Sequence, residues 1–327
     1  FLFQLIEHEA IECEAEQAGW FQPAHTPDHV ALSEMRCRAW EKRGANCRLL
    51  DAAETRRLLG SDKWHGGMLH PSGGHINPLM LVRGLAAVCE KNGVEIYENS
   101  AVTGIARHGG KWRVTAGGGS VVTANAVLLT TNAYSNELAA SLEVKVARSV
   151  VPVTSWQMST SPLPDDITGE ILPGRQAVSD TRGDLQFFRY DARNQLISGA
   201  ALMLAVNTAD RLVKLVGGRL RHAFPQLKDI SFNHIWSGYV GVTPDHLPHF
   251  HHLGPDYFAA IGYNGRGVAL SVSVGRELAK AINGACEKDL AVPLGPVKPL
   301  PVHPVTRRVA RAALVYYRWK DRQKPAI

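Results

Sequence analysis

The spacing of apolar and polar positions divides the chain into alternating helical and extended stretches. GWFQPAH (19–25) predicts a strand, and PDHVALSEMRCRAWEKRG (27–44) a helix with Asp28 at its start and Gly44 at its end. DAAETRRLLG (51–60) predicts a second helix, with Asp51 as N-cap, Glu54 completing a capping box and Gly60 as terminator. From residue 77, NPLMLVRGLAAVCEKNG predicts a third, apolar on Leu79, Val82, Leu85, Ala86 and Cys89 and closed by Gly93. A short strand in VEIYENS follows, then a meander of strands and tight turns through AVTGIARHGGKWRVTAGGGSVVTANAVLLTTNAY.

Residues from about 144 to 240 turn β-rich. VARSVVPVTSWQMST, LQFFRYDARNQLISGAA and ISFNHIWSGYVGVT alternate as strands, with a hairpin over Asp191 to Asn194 and a helix in DRLVKLVGGRLRHAFPQL. DYFAAIGYN then predicts a buried strand, a glycine-rich turn and a helix, and VPLGPVKPLPVHP (292–304) an extended surface connection. A helix feeding a strand, an antiparallel excursion and a strand ending in small polar residues is the order of α/β nucleotide-binding domains. A mainly antiparallel sheet suits a substrate-covering domain. The boundaries read as 1–75, 76–143, 144–244, 245–290 and a tail, 291–327.

Composition narrows the class. The 327 residues are 45% hydrophobic and 20% charged with a net charge of +6, which is ordinary for a globular protein and too weakly basic to imply nucleic acid. No apolar run is long enough to span a bilayer. Cys13, Cys37, Cys47, Cys89 and Cys286 are odd in number and lack C-x-x-C spacing, so isolated thiols in a reducing, cytoplasmic setting are expected. The tail TRRVARAALVYYRWKDRQK gathers seven cations, from Arg307 to Lys324. It reads as a solvated amphipathic helix packing through Val309, Ala312, Ala313 and Tyr316, or as a patch for phosphate or a membrane surface.

The stretch GYNGRG (262–267) carries the clearest chemistry. Strand, glycine turn and helix together aim backbone N–H groups and the positive end of a helix dipole at one point, where an anionic or electron-rich atom is favoured. A tight turn needing only glycine φ angles is the alternative. The order G-x-x-G-x-G also differs from the dinucleotide fingerprint G-x-G-x-x-G. DHLPHFHH offers His246, His249, His251 and His252, but the spacing fits no closed zinc pattern, and no metal is expected.

PSGGHINPLMLVRGLA, NSAVTGI, VLLTTNAY, WSGYVGVTPDHLPHF and AAIGYNGRGVALS occur in the order and spacing of the D-amino acid oxidase superfamily of FAD-dependent amine oxidoreductases. The chain resembles its γ-glutamylputrescine oxidoreductase-like and glycine/D-amino acid oxidase-like branch, from Gly19 to about Asp321. The resemblance implies an α/β (α+β) fold, an FAD-binding Rossmann-like domain interleaved with a mainly antiparallel β substrate domain. It implies FAD as cofactor, a small-molecule amine as substrate, and oxygen or an electron carrier as acceptor, with hydride transfer to flavin and hydrolysis of the imine. It places Val102 near the adenosine end of FAD, and Thr130, Thr131 and Asn132 near the nucleotide. Gly262, Asn264, Gly265, Arg266 and Gly267 would meet the flavin ring, with the helix from Val268 aimed at its pyrimidine edge. Substrate would be positioned by His75, Arg189, Tyr239 and Tyr263, although Arg189 could instead pair with Asp191 or Asp180. No residue is assigned as a catalytic acid or base.

Two departures from the family pattern matter. Amino-acid-oxidising relatives often carry an arginine four residues after the Trp of W-x-G…T-x-D-x-x-P, to clamp the substrate carboxylate; here that position is Val240. This favours an amine whose carboxylate is remote or absent, unless Arg189 or Arg266 substitutes. The G-x-G-x-x-G turn does not occur, so about a hundred residues of Rossmann half are expected before Phe1. Two readings follow: an FAD-dependent amine oxidoreductase missing its N-terminal part, or a non-catalytic subunit that completes its fold on a partner chain.

Overall fold

The computed structural model describes residues 1–138, 141–202 and 206–303, with Tyr316 and Trp319 beyond them. Most of the basic tail thus lies outside the described residues; Tyr316, from its expected packing face, is 55% exposed. In chain order the first elements are α1 (Leu2–His8), β1 (Trp20–Pro23), α2 (Asp28–Glu41), β2 (Arg48–Leu50), α3 (Ala52–Leu59), β3 (Gly67–His70) and α4 (Pro78–Lys91). The meander supplies β4 (Val102–His108), β5 (Lys111–Ala116), β6 (Val121–Ala124) and β7 (Val127–Leu129), followed by short helices α5 (Ser135–Leu138) and α6 (Val144–Ala147). Then come β8 (Val151–Thr160), α7 (Asp165–Glu170), β9 (Ala177–Ser179), β10 (Phe187–Tyr190), β11 (Leu196–Ala201), α8 (Thr208–Ala223) and β12 (Phe232–Val242). The last elements are β13 (His249–Gly254), β14 (Tyr257–Ile261) and α9 (Gly267–Ile282).

These form two compact units. The first comprises Phe1–Leu5, Ala86–Thr154 and the described part of Tyr239–Arg311; the second comprises Ile6–Leu85 and Ser155–Gly238. The second holds most of an eight-stranded sheet in the order β12-β8-β11-β10-β9-β1-β3-β2. Its pairing is mostly antiparallel, with β1 and β9 parallel. Strand alternation sorts β10: Phe188 and Tyr190 are buried, whereas Phe187 and Arg189 take the other face. Phe188 and Tyr190 join Phe21, Leu196, Leu212, Val216, Leu220 and Phe224 in a core in which each is at most 1% exposed. Each such side chain contributes about 1.5–3 kcal/mol by leaving water. Tyr190 keeps its hydroxyl satisfied by donating to Ile171 O at 3.0 Å.

The first unit holds two three-stranded sheets, β13-β14-β7 and β4-β5-β6. The second of these is the antiparallel meander expected from sequence. In the other, β14 pairs antiparallel with β13 and parallel with β7, and all five of its residues are buried. The mixed α/β class is therefore as expected, with mostly antiparallel sheets.

Local signals were realised unevenly. Asp51 and Glu54 form the reciprocal capping box at α3, and Gly60 ends that helix in the left-handed region. The 191–194 hairpin closes on Asp191 Oδ1, which accepts from Arg193 N and Gln195 N at 2.9 Å each. Asp28, by contrast, makes no cap for α2; Pro27 holds the N-cap position. VEIYENS is not a strand: Val94, Ile96 and Tyr97 are 51%, 45% and 65% exposed, and no described strand offers its edge to them. Leu79 and Val82, on the apolar face expected of α4, are likewise 59% and 62% exposed. Amphipathic spacing sets the helix but supplies nothing to cover it.

Candidate active site

β7 and β14 run parallel, with Leu129 opposite Ala259, so their carboxyl ends deliver Thr130–Asn132 and Gly262–Arg266 side by side. Ligands of α/β sheets characteristically bind beyond the carboxyl ends of such strands. The chain leaves β14 through Gly262 (φ 75°), Asn264 (φ 52°) and Gly265 (φ 82°), three left-handed positions within four residues. At Gly262 a Cβ would collide with Thr243 Cγ2, so glycine is required there by conformation and by space. At Gly265 a Cβ would meet only Val240 Cγ1, at 3.9 Å. The space beside Gly265 is open.

A small polar network fixes this turn. Asn132, itself left-handed (φ 41°), accepts the Gly262 N–H on Oδ1 at 2.8 Å. Asn264 N–H donates to Gly241 O at 3.0 Å, and Asn264 Oδ1 accepts from Thr243 N at 2.9 Å. Thr243, fully buried, donates from Oγ1 to Leu247 O at 2.7 Å and accepts from Asn264 Nδ2 at 3.0 Å. Arg266 donates from Nη2 to His246 O at 2.6 Å, tying the loop to the 243–247 turn. Gly241 admits the approach: a Cβ there would lie 2.7 Å from Asn132 Oδ1. Thr243 and Gly241 fall within the W-x-G…T-x-D-x-x-P stretch, yet sequence gave no hint that they hold the loop.

The loop feeds α9, whose N-cap position, Arg266, makes no side-chain capping bond. The first N–H groups of a helix lack intrahelical acceptors and sit at the positive end of its dipole. Here the surrounding residues, Gly265, Arg266, Val268 and Ala269, are exposed. An accessible, uncapped helix start beside an open glycine suits a flat ligand carrying carbonyl oxygens, which is the character of the ring end of FAD.

Of the remaining sequence candidates, Tyr239, Tyr263 and Val102 belong to the first unit, and His75 and Arg189, close enough to interact electrostatically, to the second. Tyr239 is 37% exposed, with its ring 5.1 Å from that of Tyr134. Tyr263 is 9% exposed and packs among Phe250, Phe258, Val274 and Leu278, where burial raises its hydroxyl pKa. Val102 opens β4 on the separate meander sheet. In the second unit, His75 is buried and donates from Nε2 to Arg175 O at 3.0 Å; burial lowers its pKa, against the opposing pull of Glu16. Arg189 donates to Tyr190 O at 3.3 Å, and burial lowers its pKa. It makes no ion pair with Asp180, which binds Arg182, or with Asp191, although the charges of Asp191, Glu14 and Glu16 all favour its protonated form.

The histidine run is taken up locally. His249 bonds Asp245, His251 donates from Nδ1 to Gly295 O at 3.1 Å, and His252 stacks on Phe258. Among the described residues no group of three or more His, Cys, Asp or Glu side chains is placed to hold a metal.

Comparison with known proteins gives this geometry its context. The chain is 32% identical over 320 residues to γ-glutamylputrescine oxidoreductase of Escherichia coli K12, covering 97% of this chain and 74% of that protein. It is 31% identical over 243 residues to a probable oxidoreductase, OrdL, of Haemophilus influenzae, covering 74% of this chain and 55% of that one. Among solved structures, L-proline dehydrogenase from P. horikoshii superposes with a TM-score of 0.77 at 19% identity, covering 89% of this chain and 78% of that one. Glycine oxidase from Geobacillus kaustophilus does so with a TM-score of 0.71 at 21% identity, covering 86% and 75%. Residues 1–281 match the FAD dependent oxidoreductase family, DAO, and the chain belongs to that family of flavoenzymes.

Proposed function

We propose that the protein oxidises the C–N bond of an amine, of the γ-glutamylputrescine or secondary/D-amino acid kind. The observation that carries this reading is the glycine turn at Gly262–Gly267, exposed at Gly265 and Arg266 and ending in a helix without a side-chain cap, in a chain of a flavin-dependent family. FAD, when bound, supplies the acceptor for a hydride leaving the carbon beside the amine, and the resulting imine hydrolyses in water. Asn132, Thr243 and Asn264 hold the turn open. The N–H groups at the start of α9 would favour an electron-rich ring atom held beside them, a preorganised electrostatic contribution that needs no acid or base side chain. The non-catalytic reading finds no support, since the family and the named relatives are oxidoreductases.

Val240 selects among amines. Its Cγ1 is the neighbour of the open space at Gly265, so the wall beside the turn is apolar where a carboxylate clamp would need a cation. A substrate with its carboxylate far from the reacting carbon, as in a γ-glutamylated amine, fits such a wall better than a simple α-amino acid. Val240→Arg tests the selection: kcat/KM for a D-amino acid relative to a γ-glutamylated amine should rise by about tenfold or more, the scale of one charge-assisted bidentate contact. An unchanged ratio would refute the placement of Val240.

A further inference from the structure

The second unit contains a cavity of about 750 Å³ that the proposed chemistry does not use. One wall is a stripe of α8 at helical spacing, Arg211, Lys214, Arg219 and His222, and the other is the segment between β9 and β10, with Arg182 and Gln186. Four cationic side chains line it, of which Arg182 is paired with Asp180 and Arg219 with Asp184. The size lies within the range of small-molecule sites.

The site is built rather than merely basic. Asp180, 1% exposed, accepts from Arg182 through its side chain and its backbone N–H and from Gln186 N at 3.1 Å, which fixes the wall. Asp184 takes one nitrogen of Arg219, and the other, Nη1, is buried with no partner. Gln186, 6% exposed, turns Oε1 toward Arg182 and leaves its buried Nε2 donor without an acceptor. Among the described residues no carboxylate lies within ion-pair distance of Lys214. In mid-helix stands Gly218, whose absent side chain leaves open space: a Cβ there meets nothing within 4 Å. Two buried donors without a partner, a cationic lining and an open helix face together favour an acceptor of several hydrogen bonds that carries negative charge.

We infer that this cavity is a second ligand site, which takes a small polyanion through phosphate or carboxylate oxygens. Arg182, Arg211 and Arg219 line the wall, and the exposed Lys214 adds charge. The site lies in the unit that does not contain the glycine turn, so occupancy is expected to register as stabilisation of the folded protein.

Calorimetric titration of the protein with inorganic pyrophosphate, and separately with glutarate, at matched ionic strength tests the inference. One site per chain, with an upward shift in thermal midpoint for at least one of the two, is the expected result; the tighter probe identifies whether phosphate or carboxylate is preferred. Gly218→Glu places a carboxylate in the open space while replacing a poor helix former with a better one. Lys214→Glu reverses an exposed charge. Each should remain folded by circular dichroism and weaken the preferred probe by about tenfold or more, the scale of one charge-assisted contact. Absence of binding by both probes, or binding unchanged in both variants, would overturn the proposal.

Discussion

Replacing Gly262 with alanine should damage the protein more than the same change three residues later. At φ 75° an L-residue costs about 1–2 kcal/mol over glycine. The added Cβ also collides with Thr243 Cγ2. Thr243 cannot swing aside, because it is fully buried and its Oγ1 is bound to both Leu247 O and Asn264 Nδ2. Overpacking of this kind costs a further ~1–3 kcal/mol. The total for Gly262→Ala is therefore about 2–5 kcal/mol. Gly265→Ala shares the left-handed backbone (φ 82°) but meets only Val240 Cγ1 at 3.9 Å, so its cost is confined to the first contribution, about 1–2 kcal/mol. Equilibrium urea unfolding followed by circular dichroism reads the difference as a lower midpoint for Gly262→Ala at similar slope. Equal midpoints for the two variants would refute the argument that Thr243 makes the turn rigid.

Two further outcomes follow from the same structure. Asn132→Leu removes the acceptor of the Gly262 N–H and should cost about 1–3 kcal/mol, with weakened flavin retention, measured by urea unfolding and by cofactor release on gel filtration. Stability should fall in mild acid: burial lowers the pKa of both His75 and His251 from 6.5, so the unfolded chain takes up protons first as pH drops below that value. The contribution is fully present above pH 6.5 and is lost as pH falls toward the lowered folded values. The urea midpoint should be lower at pH 5.5 than at pH 7.5, and His75→Gln should lessen the drop; a pH-independent midpoint would contradict this.

Sequence spoke most clearly where a feature is local. The capping box of α3 and the Asp191 hairpin depend on side chains within four residues of the backbone they satisfy, and both form as expected. The strand, turn and helix around GYNGRG were legible for the same reason. Features that depend on distant partners were not. Alternation in VEIYENS gives a segment that could pair but does not provide a neighbouring edge, and the spacing in α4 likewise makes an apolar face without covering it. The role of Thr243 in the loop was hidden because its partner, Asn264, lies 21 residues away. The cavity against α8 was hidden too, since the partner of Arg219, Asp184, lies 35 residues away in the segment before β10.

The central claim, that the turn at Gly262–Gly267 serves the redox end of a flavin in an amine-oxidising enzyme, is tested most directly by anaerobic titration of the flavin-loaded protein. Polyamines, γ-glutamylated amines, sarcosine and D-amino acids form the panel, with the visible flavin absorbance as the signal. The account predicts bleaching by at least one of these, most efficiently by an amine whose carboxylate is remote from the reacting carbon. Bound flavin that none of them bleaches would contradict it.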